Sequence, residues 1–504
     1  MKRLLLLLLL GFACFAFAQD ERPVLVVGVA DTPGGLDPGI ELSNVGSRVI
    51  YSLYDTLIRR DFLDGDKLKP MLAASWERLD DLTLELKLRD DVVFHNGDPF
   101  TSADVKFTFE NMLNPDTVYS EPKAYFATFD SIETPDDYTV IIRTKSPDPL
   151  LEQRLASWAA QILPKAYFES LGQEAFAQAP VGTGPYKFVE KVSDDRIVFE
   201  AFDSYWGDPV PVSQVIFKEI PEVSARVTAL INGEADIVTN IPPDQIPVIN
   251  RYDNVEVRSV TLANSHVLRY NTTHPVLQDK RIRQAMNLAI DRQLLSEALW
   301  GGQAVVPHSH QYAEYGPLYN ADRPQPAYDP EQAKALIAES GYNGETIIFT
   351  TNATYYTNGL QAAEAIAEMW RAVGLNAEVK VLDTASLPVD DPESMVTNWS
   401  NSTIYPDFDG ALFRSWGPQG TPQKGGYWRP PAEFNELGVA SRSTLDVATR
   451  YANYQRMLDI WEDEAPGTIL YQPLESYGVR KDLSWQPYSF YFMDLRGYNL
   501  GFTD

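Results

Sequence analysis

Hydrophobic and polar residues follow two different periods along this chain, and the change between them predicts a mixed α/β protein. Val24 to Val29 is a short apolar run, which is typical of a buried strand. Thr83 to Leu88 alternates between polar and apolar residues, as a strand with one buried face does. From Lys280 to Trp300 the apolar residues recur at helical spacing instead, and Gly301 and Gly302 predict the end of that helix.

The second half of the chain shows the clearest order of strand, helix and strand. Asp329-Pro330-Glu331 predicts a helix start, with a capping residue, a proline at the first helical position and an acid in the first turn. Glu345 to Thr350 is then predicted to be a strand, Gly359 to Val373 a helix, and Asn376 to Leu382 a second strand. Because this is a βαβ unit, its strands should be parallel and its crossover right-handed.

The first residues have the layout of a secretory signal peptide. Two basic residues precede an apolar run from Leu4 to Ala18, which is shorter than the roughly 20 residues that a membrane-spanning helix needs. We therefore expect residues 1–18 to be a signal peptide, and the mature chain to start at Gln19. Acylation of Cys14 after cleavage, as in a lipoprotein, is the alternative.

Length, charge and cysteine content narrow the class of protein. A chain of 504 residues is too long for one compact core, so it should form two or more domains. The net charge of −28 argues against nucleic-acid binding, which needs a cationic surface. Cys14 is the only cysteine, so the mature protein should have no disulfide. No later segment is apolar enough to span a membrane, and we expect an exported, soluble, monomeric protein of the periplasm.

Seven segments of the chain together match a known family. They are Ala74-Ser75-Trp76-Glu77 with Leu82 to Phe109, Gly182 to Tyr186, Tyr205-Trp206-Gly207, Gly233 to Asp236, Tyr270-Asn271-Thr272, Asp279 to Asp291, and Tyr328-Asp329-Pro330. In this order they resemble the family 5 extracellular solute-binding proteins of ABC importers, the cluster C group that contains oligopeptide, dipeptide and nickel receptors. One such segment is a weak signal, whereas the ordered set covers most of the chain and is specific.

The resemblance implies a periplasmic-binding-protein fold of type II, in which two α/β lobes close on a ligand in the cleft between them. The implied boundaries are 19–269 plus 478–504 for lobe 1, about 50–180 for an extra subdomain inserted in it, and 270–477 for lobe 2. The hinge would lie near Tyr270-Asn271-Thr272 and again near Glu475 to Val479. The implied function is capture of a small solute and its delivery to the membrane permease of an ABC importer, with no cofactor.

The sequence carries no signature of an enzyme or of a metal site. It has no nucleophile elbow, no phosphate-cradling loop and no His-Glu-x-x-His motif. An exported glycoside hydrolase, which needs two carboxylates about 5 Å apart, and a periplasmic chaperone remain the alternatives. His308 and His310 are close in sequence, but two histidines without cysteine make a poor metal site, so we predict no metal.

The candidate ligand site is the stretch 398–410 and the residues that follow it. Ligands of open α/β sheets bind at the carboxyl ends of strands, and an aromatic residue among short polar side chains suits a small-molecule pocket. Trp399 is therefore expected to stack on the ligand, with an ordinary polar loop as the alternative. The candidate binding residues are Asn398, Trp399, Ser400, Ser402, Tyr405, Asp407, Asp409, Arg414 and Trp416.

The class of ligand stays open at this point. In peptide-binding relatives, the loop after the matching tryptophan carries an aspartate that pairs with the α-ammonium of the peptide. Ile404 stands at that position here, which argues against an ordinary peptide. Arg414 suits a carboxylate, and the nearby aromatic and short polar residues suit a sugar. A peptide, an opine-like conjugate and an oligosaccharide or sugar conjugate are all compatible with the sequence.

Overall fold

The computed structural model describes residues 21–353, 356–382 and 394–503. The predicted signal peptide, its cleavage site and the alternative lipid anchor at Cys14 lie outside the described residues and stay predictions.

Within these described ranges, eighteen strands form the sheets. In chain order they are β1 Val24–Val29, β2 Ile58–Asp61, β3 Lys67–Pro70, β4 Ala73–Asp80, β5 Thr83–Leu88, β6 Phe129–Asp136, β7 Thr139–Thr144, β8 Tyr186–Val192, β9 Arg196–Ala201, β10 Gln214–Glu219, β11 Ile237–Val238, β12 Val255–Thr261, β13 Asn264–Tyr270, β14 Thr346–Asn352, β15 Asn376–Leu382, β16 Val396–Ser402, β17 Gly467–Tyr471 and β18 Leu474–Arg480.

Helices cover the faces of these sheets. They are α1 Asn44–Ile50, α2 Ser102–Leu113, α3 Ser120–Tyr125, α4 Leu151–Leu155, α5 Lys165–Leu171, α6 Gln173–Phe176, α7 Val223–Ile231, α8 Ile246–Ile249, α9 Lys280–Leu288, α10 Arg292–Trp300, α11 Pro330–Ser340, α12 Gly359–Ala372, α13 Arg414–Trp416, α14 Thr421–Lys424, α15 Ala432–Arg442 and α16 Val447–Glu464. The described residues also form short 3-10 helices at Pro243–Gln245, Pro275–Leu277 and Ala313–Leu318, and a π-helical turn at Asp409–Phe413.

Two large sheets define two lobes, as the resemblance implies. The first has the strand order β12-β18-β11-β1-β10-β9-β8, and the second has the order β15-β14-β16-β13-β17. The two-lobed α/β fold is therefore confirmed. The second sheet contains the predicted βαβ unit, because β14 and β15 pair in parallel with Thr346 opposite Asn376, and α12 connects them.

An extra subdomain lies between β1 and β8, two strands of the first sheet, and its boundaries of about 50–180 stay a prediction. It consists of the hairpin β2–β3, the four-stranded sheet β4-β5-β7-β6 and helices α2 to α6. Its core includes aromatic side chains from the C-terminal tail, such as Phe490 and Phe492, and also Ile404 and Tyr405 from the second lobe. The inserted subdomain therefore packs against the second lobe as well as the first.

The chain crosses between the lobes at two short connections. Leu262 and Ala263 join β12 to β13, and Gln472 and Pro473 join β17 to β18. The backbone N–H of Leu262 donates to the carbonyl of Pro473 at 3.0 Å, so the two crossings run side by side. These positions differ from the expected ones, because β13 belongs entirely to the second sheet and β18 entirely to the first.

The segment from Lys280 to Trp300 forms two helices instead of the single predicted one. The first ends at Leu288, and Asp291 caps the second by accepting a hydrogen bond from the backbone N–H of Leu294 at 2.9 Å. Gly301 ends the second helix with a φ of 59°, in the left-handed region that favours glycine, as predicted.

The Gly182-Thr183-Gly184 segment is held against the loop that contains His95. The Gly182 N–H donates to His95 Nδ1 at 3.1 Å, and the other ring nitrogen of His95 lies 3.0 Å from the carbonyl oxygen of Gly184. Two of the family segments, the one that contains His95 and the one that starts at Gly182, thus contact each other and have a structural role. Neither glycine has a positive φ, so close approach to the backbone at Leu53, and not an unusual dihedral angle, requires glycine there.

Among the helices of the described ranges, none combines the length and the apolar character that crossing a membrane requires.

Candidate functional site

A cavity of about 550 Å³ lies in the cleft between the two lobes. Lobe 1 contributes residues from the end of β1, from α1, from the β10–α7 connection and from β18, whereas lobe 2 contributes residues from β13, α10 and the β14–α12 connection. The polar and aromatic lining residues are Asp31, Asn44, Arg48, Glu219, Glu222, Arg226, Asn240, Glu475 and Tyr491 on lobe 1, and His266, Trp300, Tyr356, Thr357, Asn358 and Gln361 on lobe 2.

A buried ion pair forms the base of the lobe 1 side. Arg48 Nη2 lies 3.1 Å from Glu475 Oε1, and both side chains are about 5% exposed. Burial raises the pKa of Glu475, and the nearby Arg48 guanidinium acts in the opposite direction. Asn240 joins the pair, since its backbone N–H donates to Glu475 Oε1 at 3.2 Å and its Oδ1 accepts from Arg48 at 3.3 Å. These charges are neutralised within the protein.

Arg226, the other arginine of the cleft, binds backbone. Its guanidinium donates to the carbonyl oxygens of Ile220, Pro221, Thr239 and Asn240 at 2.7 to 3.3 Å. The side chain is buried, and burial lowers its pKa to about 10. Arg226 therefore fixes the β10–α7 connection and the turn after β11. These two segments supply four lining residues of the cavity: Pro221, Glu222, Asn240 and Pro242.

Aromatic rings form the lobe 2 side. The ring centroid of His266 lies 4.9 Å from that of Tyr356 and 6.3 Å from that of Trp300. His266 is 7% exposed, and burial lowers its pKa to about 3, so the ring is neutral at pH 7. Within the described part of the chain, neither of its ring nitrogens has a hydrogen-bond partner. A neutral imidazole with free hydrogen-bonding capacity thus faces the cleft.

Three carboxylates stand at the mouth of the cleft on lobe 1. Asp31 and Glu222 are exposed, and Glu219 is half-buried with its Oε2 accepting from the hydroxyl of Thr32 at 2.7 Å. Across the cleft stand two amide side chains, those of Asn358 and Gln361, at the start of α12. The mouth therefore offers hydrogen-bonding groups on both lobes and negative charge on one of them.

The predicted site residues 398–402 lie in strand β16 and not in a loop. β16 pairs with β13, with Val267 opposite Trp399 and His266 opposite Ser400. Because side chains alternate across a strand, Ser400 shares the sheet face of His266, whereas Trp399 lies on the other face with Val267. Asn398 and Trp399 line a small cavity next to the main one, which shares His266 and Tyr356 with it. The ligand-binding roles of these residues stay predictions.

Tyr405 and Asp409 take part in a buried ionic cluster. Asp409 accepts from Arg154 Nη2 at 3.0 Å, from Arg442 Nε at 2.7 Å and from the hydroxyl of Tyr405 at 3.0 Å. Arg154 belongs to the inserted subdomain, so the cluster joins that subdomain to lobe 2. Asp409 is fully buried, and the cavity of the cleft is lined by other residues.

The remaining predicted residues also have partners inside the protein. Asp407 binds Arg450 Nη2 through both carboxylate oxygens, at 2.9 and 2.8 Å, and burial raises its pKa to about 6 against the effect of Arg450. Arg414 donates to the carbonyl oxygen of Ser402 at 3.0 Å, and Trp416 donates to the side chain of Asn401 at 2.8 Å. Each of these residues thus has a partner inside the protein. Contact with the ligand remains a prediction for Asp407, Ser402, Arg414 and Trp416.

Sequence reasoning missed the residues that line the cleft. Arg48 and Glu475 are 427 positions apart, and no local pattern connects them. A usable signal existed at the β14–α12 connection, because the predicted βαβ unit places that segment at the carboxyl end of a parallel strand. Residues 356–361, at this place, supply four lining residues of lobe 2.

Replacement of Trp399 by alanine tests its predicted stacking role. The ring is partly buried and lies 5.8 Å from the ring of Trp416 at 67°, at the edge of a buried cluster. We expect Trp399→Ala to lower the free energy of unfolding by about 3 kcal/mol and to leave ligand affinity within about threefold, because truncation removes core contacts. Calorimetric affinity and ligand-free thermal unfolding measure the two effects. A thirtyfold loss of affinity with an unchanged melting temperature would instead establish stacking.

The neighbouring residues His308 and His310 have different contacts. His308 Nδ1 hydrogen bonds to the carbonyl of Arg323, whereas His310 is buried with its ring 4.4 Å from that of Trp461. Within residues 21–353, 356–382 and 394–503, no three His, Cys, Asp or Glu side chains are grouped as a metal site requires.

The sequence and the fold both match known solute-binding proteins. Residues 67–423 match the family of bacterial extracellular solute-binding proteins, family 5, middle region. The glutathione-binding protein GsiB of Pectobacterium atrosepticum is 29% identical over 457 residues, which cover 86% of this chain and 83% of GsiB. The dipeptide-binding protein of Escherichia coli is 26% identical over 503 residues, covering 92% of each chain.

Solved structures confirm the fold. A dipeptide-binding protein from Pseudoalteromonas sp. SM9913, in complex with Met-Leu, superposes with a TM-score of 0.87 at 22% identity, over 95% of this chain and 100% of that one. The binding protein AgaA from A. tumefaciens R10, in complex with agropinic acid, gives a TM-score of 0.83 at 24% identity, over 95% and 99%. The resemblance inferred from seven segments is therefore confirmed, and this chain belongs to the family 5 bacterial extracellular solute-binding proteins.

Proposed function

We propose that this protein captures a short peptide in the interlobe cleft, outside the cytoplasmic membrane, and delivers it to the permease of an ABC importer. The observation that carries the proposal is the cavity of about 550 Å³, lined by hydrogen-bonding groups of both lobes. This volume lies within the usual range for small-molecule sites. Several relatives are named for binding dipeptides, oligopeptides or glutathione, which supports a peptide over a sugar.

Capture requires no covalent step. Asn44 on lobe 1 and Thr357 and Asn358 on lobe 2 offer amide and hydroxyl groups that match peptide N–H and C=O groups. A ligand contacts both sets only when the lobes are closed, so its binding free energy favours the closed form. The two side-by-side strand crossings are the natural place for the bending that opens and closes the cleft.

Native mass spectrometry of the gently purified protein tests this function, because a captured solute is expected to remain bound. A retained di- or tripeptide would support the proposal, and a retained opine or oligosaccharide would contradict the peptide assignment. Product formation from the retained solute, followed over hours, would reveal an enzyme instead of a receptor.

Closure of the lobes should be visible in solution. Saturation with the solute released from the purified protein is expected to reduce the radius of gyration measured by small-angle X-ray scattering, relative to the stripped protein. An unchanged radius at saturation would count against capture by hinge closure.

A further inference from the structure

We propose that the ligand of the cleft carries a basic group other than a peptide α-ammonium, a second ammonium or a guanidinium, held between the carboxylates of lobe 1 and the neutral aromatic rings of lobe 2. This inference rests on the proposed function in one respect, namely that the interlobe cavity is the ligand site. It adds a charge preference that neither the fold nor the family determines.

The charges that line the cavity are unevenly committed. Arg48 is paired with Glu475 and its Nε is buried without a partner in the described ranges, whereas Arg226 is buried and donates hydrogen bonds to four backbone carbonyl oxygens. The carboxylates of Asp31, Glu219 and Glu222 have no arginine or lysine within ion-pair distance among the described residues. The described lining of lobe 1 therefore carries four carboxylates against two guanidinium groups, both of which are buried.

Lys191 interacts electrostatically with Glu219 but is not part of the cavity lining. Its ammonium donates to the carbonyl oxygens of Pro33 and Gly34, at 2.5 Å each. The positive charge of Lys191 therefore partly offsets the negative potential of Glu219, although Lys191 is not a lining residue.

The lobe 2 side reinforces the same preference. His266 is more than nine-tenths buried, neutral and without a hydrogen-bond partner in the described ranges, and it faces the cavity. One of its ring nitrogens can accept a hydrogen bond from a ligand N–H. Tyr356 and Trp300 stand beside it, and aromatic rings attract cations through their electron-rich faces. A basic group is thus favoured from both sides, whereas an additional carboxylate on the ligand finds no counter-ion.

A set of matched tripeptides tests the charge preference. The parent is Ala-Gln-Ala, and Lys or Glu replaces each of its three positions in turn, so that the register of binding need not be known. We expect the best Lys peptide to bind at least tenfold more tightly than Ala-Gln-Ala, and every Glu peptide to bind more weakly than the parent, because charge-assisted hydrogen bonds outweigh neutral ones. Isothermal calorimetry at two salt concentrations measures the affinities, and the advantage of Lys should shrink at the higher one.

A pair of variants assigns the preference to the cleft. Glu222→Gln removes a cleft carboxylate just before α7, and Glu234→Gln removes an exposed carboxylate just after the same helix, away from the cavity. We expect Glu222→Gln to reduce the advantage of the Lys peptide over the Gln peptide by at least threefold, and Glu234→Gln to leave it unchanged. Thermal unfolding of both variants verifies that they fold.

The outcomes separate the two proposals. Equal affinity for the Lys and Gln peptides would overturn the charge preference and leave the peptide receptor intact. Binding of agmatine, a basic amine without a peptide bond, with no binding of any tripeptide would contradict the peptide assignment and support the charge preference. Equal losses from Glu222→Gln and Glu234→Gln would show that the overall charge of the lobe, and not the cleft, selects the ligand, which would overturn the inference.

Discussion

Replacing Asp409 by alanine is expected to lower the free energy of unfolding by about 3–5 kcal/mol. The carboxylate is fully buried between Arg154 and Arg442, so its removal leaves the Arg442 guanidinium without its partner and the buried Arg154 with Asp148 as its one carboxylate partner among the described residues. Denaturant unfolding measures the loss. A fall of less than about 1 kcal/mol would show that water or another carboxylate replaces Asp409, and would contradict the view that this cluster joins the inserted subdomain to lobe 2.

The same carboxylate predicts a dependence on pH. Burial by itself would raise the pKa of Asp409, but Arg442 and Arg154 outweigh it and lower the pKa from 3.8 to about 2. A lowered pKa means that its stabilisation, about 2 kcal/mol, is present in full above pH 3.8 and is lost as the pH falls towards 2. The wild type should lose this increment in that window, whereas Asp409→Ala should not.

An exposed ion pair on the same lobe provides the control. Arg456 and Glu433 are bonded at 2.8 Å, but each side chain is about half exposed. Glu433→Ala should therefore change the free energy of unfolding by less than about 1 kcal/mol.

Gly182→Ala is expected to destabilise the protein by more than about 3 kcal/mol, or to prevent folding. A Cβ at this position would lie 2.1 Å from the carbonyl oxygen of Leu53 and 2.7 Å from the ring of Tyr54. Since the Leu53 contact is with backbone, no rotamer change can relieve it, and the loop that bonds to His95 must move. The yield of soluble protein and its melting temperature measure the effect.

Gly34 is the matched control for this substitution. It lies in the same lobe, has no atom within 4 Å of an added Cβ, and does not have a positive φ. Gly34→Ala should therefore be neutral, or stabilising by up to about 1 kcal/mol through the unfolded state. If both variants unfold at the temperature of the wild type, the close approach at Leu53 is not a constraint.

Periodicity and capping residues predicted the local elements well, and the ordered family segments predicted the two lobes. The β14–α12–β15 unit follows from a change of period between 345 and 382, and Gly301 ends a helix where it was expected. The break between α9 and α10 was missed, because the apolar residues keep helical spacing across it while Asp291 starts a new helix. Hydrophobic periodicity shows which face of an element is buried. It is less informative about where the backbone hydrogen bonding of a helix ends.

The candidate site was harder to predict for a different reason. Short polar neighbours suggested that Trp399 lies at a surface, but in a strand the neighbours of a residue point to the opposite face, so they say little about its own surroundings. The aspartates of the same stretch, Asp407 and Asp409, have arginine partners that are 43 and 255 positions away. Long-range pairing of this kind decides whether a carboxylate is available to a ligand, and it cannot be read from local sequence.

The two strand crossings limit how the lobes can move. Each consists of two residues, and a hydrogen bond of 3.0 Å between Leu262 and Pro473 ties them together. Because such a double connection resists twisting and sliding, we expect the relative motion of the lobes to be mainly a bend about the two crossings. A single distance across the mouth, for example between labels near Glu222 and Gln361, then describes the whole trajectory from open to closed. Single-molecule energy transfer along that one coordinate could give both opening and closing rates without a global structural fit.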